Sequence, residues 1–136
     1  MRNNLVSNKI KLINAAAGFP SPAENYIEEK LDLNKYLIKN KESSFFVRVS
    51  GDSMINIGIF DKDILIVDRS LTPTRQSIVL VSIDGELIVK RLVKDESSNY
   101  YLKSENNNYP DIELNSNTNT DTIIWGVATY VIHNLR

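Results

Sequence analysis

Residues 77–93 read Ser77-Ile78-Val79-Leu80-Val81-Ser82-Ile83-Asp84-Gly85-Glu86-Leu87-Ile88-Val89-Lys90-Arg91-Leu92-Val93. Two apolar, β-branched runs flank Asp84-Gly85. An Asp-Gly pair supplies the positive φ angles of a type I′ turn, so the stretch predicts a β-hairpin over Ser77–Ile83 and Glu86–Val93. The second strand carries Lys90 between Ile88 and Leu92, which alternation puts on the same face. A lysine in such company loses water, and desolvation favours its neutral form.

The same grammar extends outward. Phe45–Val49 is a short β-rich run, and Ile64-Leu65-Ile66-Val67 is apolar without alternation, as in a strand buried on both faces. Tyr100–Lys103 reads as another strand. Ile123–Ile132 reads as a long closing strand with Gly126 as a bulge candidate. Asn106-Asn107-Asn108 and Asn115–Thr120 are turn-rich loops. Ahead of the strands, Ser21-Pro22-Ala23-Glu24 has the form of a helix start, with Ala23, Tyr26, Ile27 and Leu31 at helical spacing. Asp32 is placed to cap a second short helix through Leu33, Tyr36 and Leu37. Residues 1–17 have little apolar periodicity and read as a flexible arm. The predicted fold is mainly β, with a short helical segment in front.

The chain of 136 residues is 42% hydrophobic and 24% charged, so it can build one real core. Residues 1–17 hold Arg2, Lys9 and Lys11 and no acid, a charge of +3; with −1 on the whole chain, the remainder carries −4. That balance does not suit a general nucleic-acid binder. No apolar run nears the roughly 20 residues that span a bilayer, and Met1–Ser7 has no apolar signal-peptide core. A cytoplasmic protein without membrane attachment is expected. Zero cysteines exclude disulfides and thiolate zinc sites. No metal and no cofactor are expected.

Without cysteine, and with His133 as the single histidine, a nucleophile here would be a hydroxyl and its base a lysine. Ser53, within Ser50-Gly51-Asp52-Ser53-Met54, and Lys90, within Val89-Lys90-Arg91-Leu92, are the candidates. A serine needs a base to take its proton. A lysine can be that base only when neutral, and its free pKa is about 10.4. Arg91 cannot lose its charge. The plain alternatives are a turn at Gly51-Asp52-Ser53 and a solvated strand lysine. His133, after the last strand, reads as a satisfied or exposed histidine.

Three segments carry a resemblance. Ser50-Gly51-Asp52-Ser53-Met54, then Gly58-Ile59, Asp61, Asp63, Leu65 and Val67-Asp68, then Gly85-Glu86 and Val89-Lys90-Arg91-Leu92, resemble the self-cleaving serine–lysine peptidases of the LexA and UmuD type. The separation of 37 positions between Ser53 and Lys90 fits that pattern. Gly18-Phe19-Pro20-Ser21-Pro22-Ala23, with Tyr26 and Asp32-Leu33-Asn34, resembles UmuD after its cleavage point.

The resemblance covers roughly residues 15 to 136 and implies roles. Ser53 would be the nucleophile and Lys90 the general base. The cut would fall between Ala17 and Gly18, dividing the chain into an arm of residues 1–17 and a peptidase domain of residues 18–136. Backbone N–H groups of Asp52 and Ser53 would hold the oxyanion. Ala15-Ala16-Ala17 can lie extended in a narrow cleft, although alone such a stretch reads as a linker.

The resemblance further implies a homodimer whose cutting a RecA–single-stranded-DNA filament stimulates in the SOS response. The shortened product would serve a UmuC-like, Y-family error-prone polymerase in translesion synthesis. Seventeen residues are too few for a helix-turn-helix reader, so no sequence-specific DNA binding is expected. Rival readings are a protease acting on other proteins, a non-cutting binding module, and a truncated LexA-like repressor relative. One departure stands out: Lys62 occupies the middle of Asp61-Lys62-Asp63, where the family often has glycine, and carries strain if the turn needs φ > 0.

Overall fold

The computed structural model describes residues 8–18, 28–114 and 121–136. The helix start at Ser21–Glu24, with Tyr26 and Ile27, and the Asn115–Thr120 loop lie outside the described residues. The chain divides into two compact units, Met1–Lys39 and Asn40–Arg136.

In the first unit, β1 (Lys9–Ile13) pairs antiparallel with β2 (Glu28–Asp32), in the register Lys9↔Asp32 through Ile13↔Glu28. Two expectations change here. The arm contains a strand, and Leu31 belongs to a strand rather than to a helix. Edge-to-edge pairing supplies the order that periodicity could not signal, because every residue of β1 is exposed and no buried face imposes a pattern. Asp32 does cap α1 (Leu33–Leu37), its side chain accepting from Lys35 N–H at 3.4 Å.

The second unit is built on a seven-stranded antiparallel sheet. Its strands are β3 (Ser44–Arg48), β4 (Ile64–Asp68), β5 (Ile78–Ile83), β6 (Glu86–Lys94), β7 (Tyr100–Lys103), β8 (Ile112–Glu113) and β9 (Thr122–Ile132). The order across the sheet is β3-β4-β9-β5-β6-β7-β8. The predicted hairpin is β5–β6, in register from Ile78↔Arg91 to Ile83↔Glu86. Asp84 at φ 50° and Gly85 at φ 85° make its turn, which matches the type I′ requirement. Asp84 N–H also donates to Asp121 O at 3.0 Å, tying the hairpin tip to the start of β9.

Apolar residues pack on both faces of the sheet. Val49, Met54, Ile59, Leu65, Val67 and Leu80 form one cluster. Val79, Val81, Leu92 and Leu102 form the other. Leu65, Ile66 and Val67 are all buried, as their unbroken apolar run predicts. Each such side chain contributes about 1.5–3 kcal/mol by leaving water.

β9 runs between β4 and β5, and both pairings slip by one residue along it. Leu80 faces Gly126 while Val81 faces Ile124, so Trp125 is the extra residue. On the other flank Val67 faces Ala128 while Ile66 faces Tyr130, leaving Thr129 extra. A bulge therefore sits at Trp125, beside Gly126. Gly126 is required by close approach: a Cβ there would lie 2.7 Å from Val67 Cγ1 and 3.0 Å from Asp68 O. Lys62 has φ 73°, so the departure noted in the sequence is a left-handed, strained residue.

Candidate active site

The segment Ser50–Met54 leaves β3 and turns into a short 3-10 turn, Ile55–Ile57. Met54 is 2% exposed and anchors this segment in the core. Val49 N–H donates to Asp63 O and Lys62 N–H to Val49 O, both at 2.8 Å. Gly51 N–H donates to Asp61 Oδ1 at 2.8 Å. Ser53 is half-buried on this anchored turn.

Lys90 comes from the middle of β6. It pairs with Val79 and shares its face with Ile88 and Leu92, which pack in the second apolar cluster. Lys90 is only 8% exposed. Burial pushes its pKa below the ordinary lysine value. Arg91, on the opposite face, is held by Glu105 Oε1 at 2.7 Å from Nε and by Gln76 O at 2.9 Å from an Nη.

The two candidates meet at one cavity of about 370 Å³. Residues 47–54 line one part of it, Leu80 and residues 87–90 another, and Tyr109 completes it. Both halves of the predicted pair, together with Asp52, thus line a common space. Ala17 and Gly18 are exposed and lie at a bend beyond the end of β1, not in an extended run. Among the described residues, the hydrogen bond of Lys90 goes to Ser104: Nζ donates to Oγ at 2.6 Å, within the buried region. Ser53 reaches the cavity without such a bond to Lys90.

His133 stands apart from this cavity. Its Nδ1 lies 2.6 Å from Asp63 Oδ1, and its ring packs on Phe60 at 5.0 Å. Burial works against the Asp63 carboxylate, but the bonds from His133 and from Phe60 N–H outweigh it and hold its pKa below the usual value. The histidine is a satisfied partner of a structural aspartate.

A model of the family described as Peptidase S24-like matches residues 10–129. The chain belongs to the Peptidase S24-like family. Among its relatives, Protein ImpA of Salmonella typhimurium is 41% identical over 120 residues, covering 88% of this chain and 79% of that protein. Protein MucA of Escherichia coli is 40% identical over 115 residues, covering 85% and 77%. The LexA repressor of Pasteurella multocida is 35% identical over 119 residues, covering 88% of this chain and 56% of the repressor. Within the S24-like family this is a UmuD-type member, and its kin are serine peptidases in that general sense.

Three further residues of this S24-like chain, not among the sequence candidates, border the pair. Ser104 lies one step beyond Lys103, which faces Arg91 in the β6–β7 ladder, so the same register puts it across from Lys90. Tyr109 donates its hydroxyl to Asp52 Oδ1 at 2.6 Å, and Lys90 Nζ lies 5.3 Å from its ring centre. Asn106 Nδ2 donates to Asp52 O at 2.9 Å. The polar run after Tyr100–Lys103 held the signal for Ser104, had the ladder register been known. Among the described residues no helix is long and apolar enough to cross a membrane.

Proposed function

We propose that this protein cuts its own chain between Ala17 and Gly18, with Ser53 as nucleophile and Lys90 as general base. The observation that carries the reading is a buried lysine with a depressed pKa on the same cavity as Ser53. Ser53 Oγ attacks the Ala17 carbonyl carbon while neutral Lys90 takes the hydroxyl proton. The oxyanion is met by the N–H groups of Asp52 and Ser53. Collapse breaks the C–N bond, and Lys90 returns the proton to the Gly18 nitrogen. A water, deprotonated by Lys90, then hydrolyses the Ala17 ester and frees Ser53. Base catalysis of this kind contributes about 10²–10⁴-fold.

Cutting requires Ala17 and Gly18 to lie extended in the cavity. A RecA–single-stranded-DNA filament favours that conformer. The shortened product acts as a homodimer, as the regulatory subunit of a UmuC-like, Y-family error-prone polymerase in SOS mutagenesis. The kinship with ImpA and MucA supports this cellular role.

The test is intact mass of the purified chain incubated with and without RecA filament, beside Ser53→Ala and Lys90→Ala. A fragment beginning at Gly18, faster with filament and absent in both variants, is expected. Normal cutting by Lys90→Ala refutes the base assignment. No fragment under any condition leaves a non-cutting binding subunit as the better account.

A further inference from the structure

We propose that Ser104 is a positioning residue that aims the amine of Lys90 at Ser53; this rests on the serine–lysine reading above. Ser104 is 4% exposed and is fixed at the end of β7, across the ladder from Lys90. Its Oγ accepts from Lys90 Nζ at 2.6 Å. A neutral amine has two N–H bonds and one lone pair. With one N–H held by Ser104, rotation about the last side-chain bond is restrained, and the lone pair is left for the Ser53 proton. An amine free to spin in an apolar pocket would present that lone pair only part of the time.

The surrounding loop supports the assignment, because the same few residues also hold the nucleophile's turn. Glu105 O accepts from Asn56 N–H at 2.9 Å, and Asn106 and Tyr109 bond to Asp52 O and Oδ1. Base and nucleophile are therefore gauged from one segment. This is the arrangement expected where a small displacement is costly: a misplacement of about 1 Å can lower a rate on the order of a hundredfold.

The experiment is the pH profile of self-cleavage by the full chain, for wild type, Ser104→Ala and Ser104→Thr, with folding checked by circular dichroism. The charged and titratable groups around Lys90 are the Asp52 carboxylate, the Arg48 guanidinium and the Tyr109 phenol on the cavity. β5 offers only Val79 and Leu80, and the Glu105–Arg91 pair is mutually neutralised. None of these changes in the variants.

Ser104→Ala should lower the alkaline plateau on the order of 10- to 100-fold. It should also move the bend of the profile to lower pH, because the ammonium loses an acceptor. Ser104→Thr, which keeps the hydroxyl, should recover most of the plateau. A Ser104→Ala plateau equal to or above wild type overturns the inference. So does a lowered plateau with an unmoved bend, or a folded Ser104→Thr that is no better than Ser104→Ala, since either marks a merely structural role. A wild type that does not cut overturns the serine–lysine reading beneath it, whereas a cutting wild type with an indifferent Ser104→Ala overturns this inference alone.

Discussion

Replacing Gly126 by alanine tests the geometry that carries the sheet. The added Cβ would lie 2.7 Å from Val67 Cγ1, 3.0 Å from Asp68 O and 3.2 Å from Asp68 C. Val67 is fully buried, and the Asp68 backbone is pinned. Its residue pairs with Ser44 on one side and Val127 on the other. Its carboxylate accepts from Asn40 Nδ2 at 2.8 Å, Ser43 Oγ at 2.7 Å, and Ser70 N–H and Oγ at 2.8 and 2.7 Å.

Overpacking a tight core costs about 1–3 kcal/mol, and a pinned neighbour argues for the upper half of that range. Alanine also narrows the unfolded ensemble, returning about 0.4–1 kcal/mol. A net loss of roughly 2 kcal/mol remains. At about 3–6 °C per kcal/mol for a chain of this size, Tm should fall on the order of 6–12 °C. The assay is thermal unfolding of the full chain by circular dichroism, in a Ser53→Ala background so that chain length stays fixed. Gly18→Ala is the control, since a Cβ there meets nothing within 4 Å. A fall below about 3 °C, or one no larger than the control's, would refute the claim that β9 is held against Val67 and Asp68 by the absence of a side chain.

Three further outcomes are expected. Self-cleavage should rise with pH about tenfold per unit and level off below the free-lysine value of about 10.4, because burial holds Lys90 below it; a profile that is flat, or that climbs past that value unbent, removes Lys90 as the base. Asp68 is held well below the usual carboxylate range, first by the bond from Asn40 and, against the opposing effect of burial, by those from Ser43 and Ser70; Asp63 is depressed as well. Both then bind protons more readily in the unfolded chain, so the stability they contribute is present above about pH 4 and drains away as pH falls through their folded values. Urea unfolding at pH 7, 5, 4 and 3 should register that loss, and Asp68→Asn should flatten it. Lys62→Gly should relieve a left-handed residue at φ 73°; strain of about 1–2 kcal/mol, less the unfolded-state entropy of glycine, leaves a gain of up to about 1 kcal/mol, read as a higher urea midpoint.

The sequence by itself determined whatever local chemistry dictates. Asp84-Gly85 required the β5–β6 turn, because its φ angles suit those two residues. The unbroken apolar run of Ile64–Val67 required a strand covered on both faces, and Asp32 required a helix start. The sequence also singled out Ser53 and Lys90 as candidates, because a chain without cysteine has few other ways to make a nucleophile and an uncharged base, and the family resemblance gave them their proposed roles.

Tertiary structure decided what depends on register and distance. β1 is exposed throughout and is ordered through its partner β2, so no periodicity could announce it. The bulge beside Gly126 depends on how closely β4 approaches, a distance absent from any one-dimensional pattern. Ser104 meets Lys90 because the β6–β7 ladder happens to align them. Spacing along the chain fixes which residues can react; pairing between strands fixes which ones hold them in place.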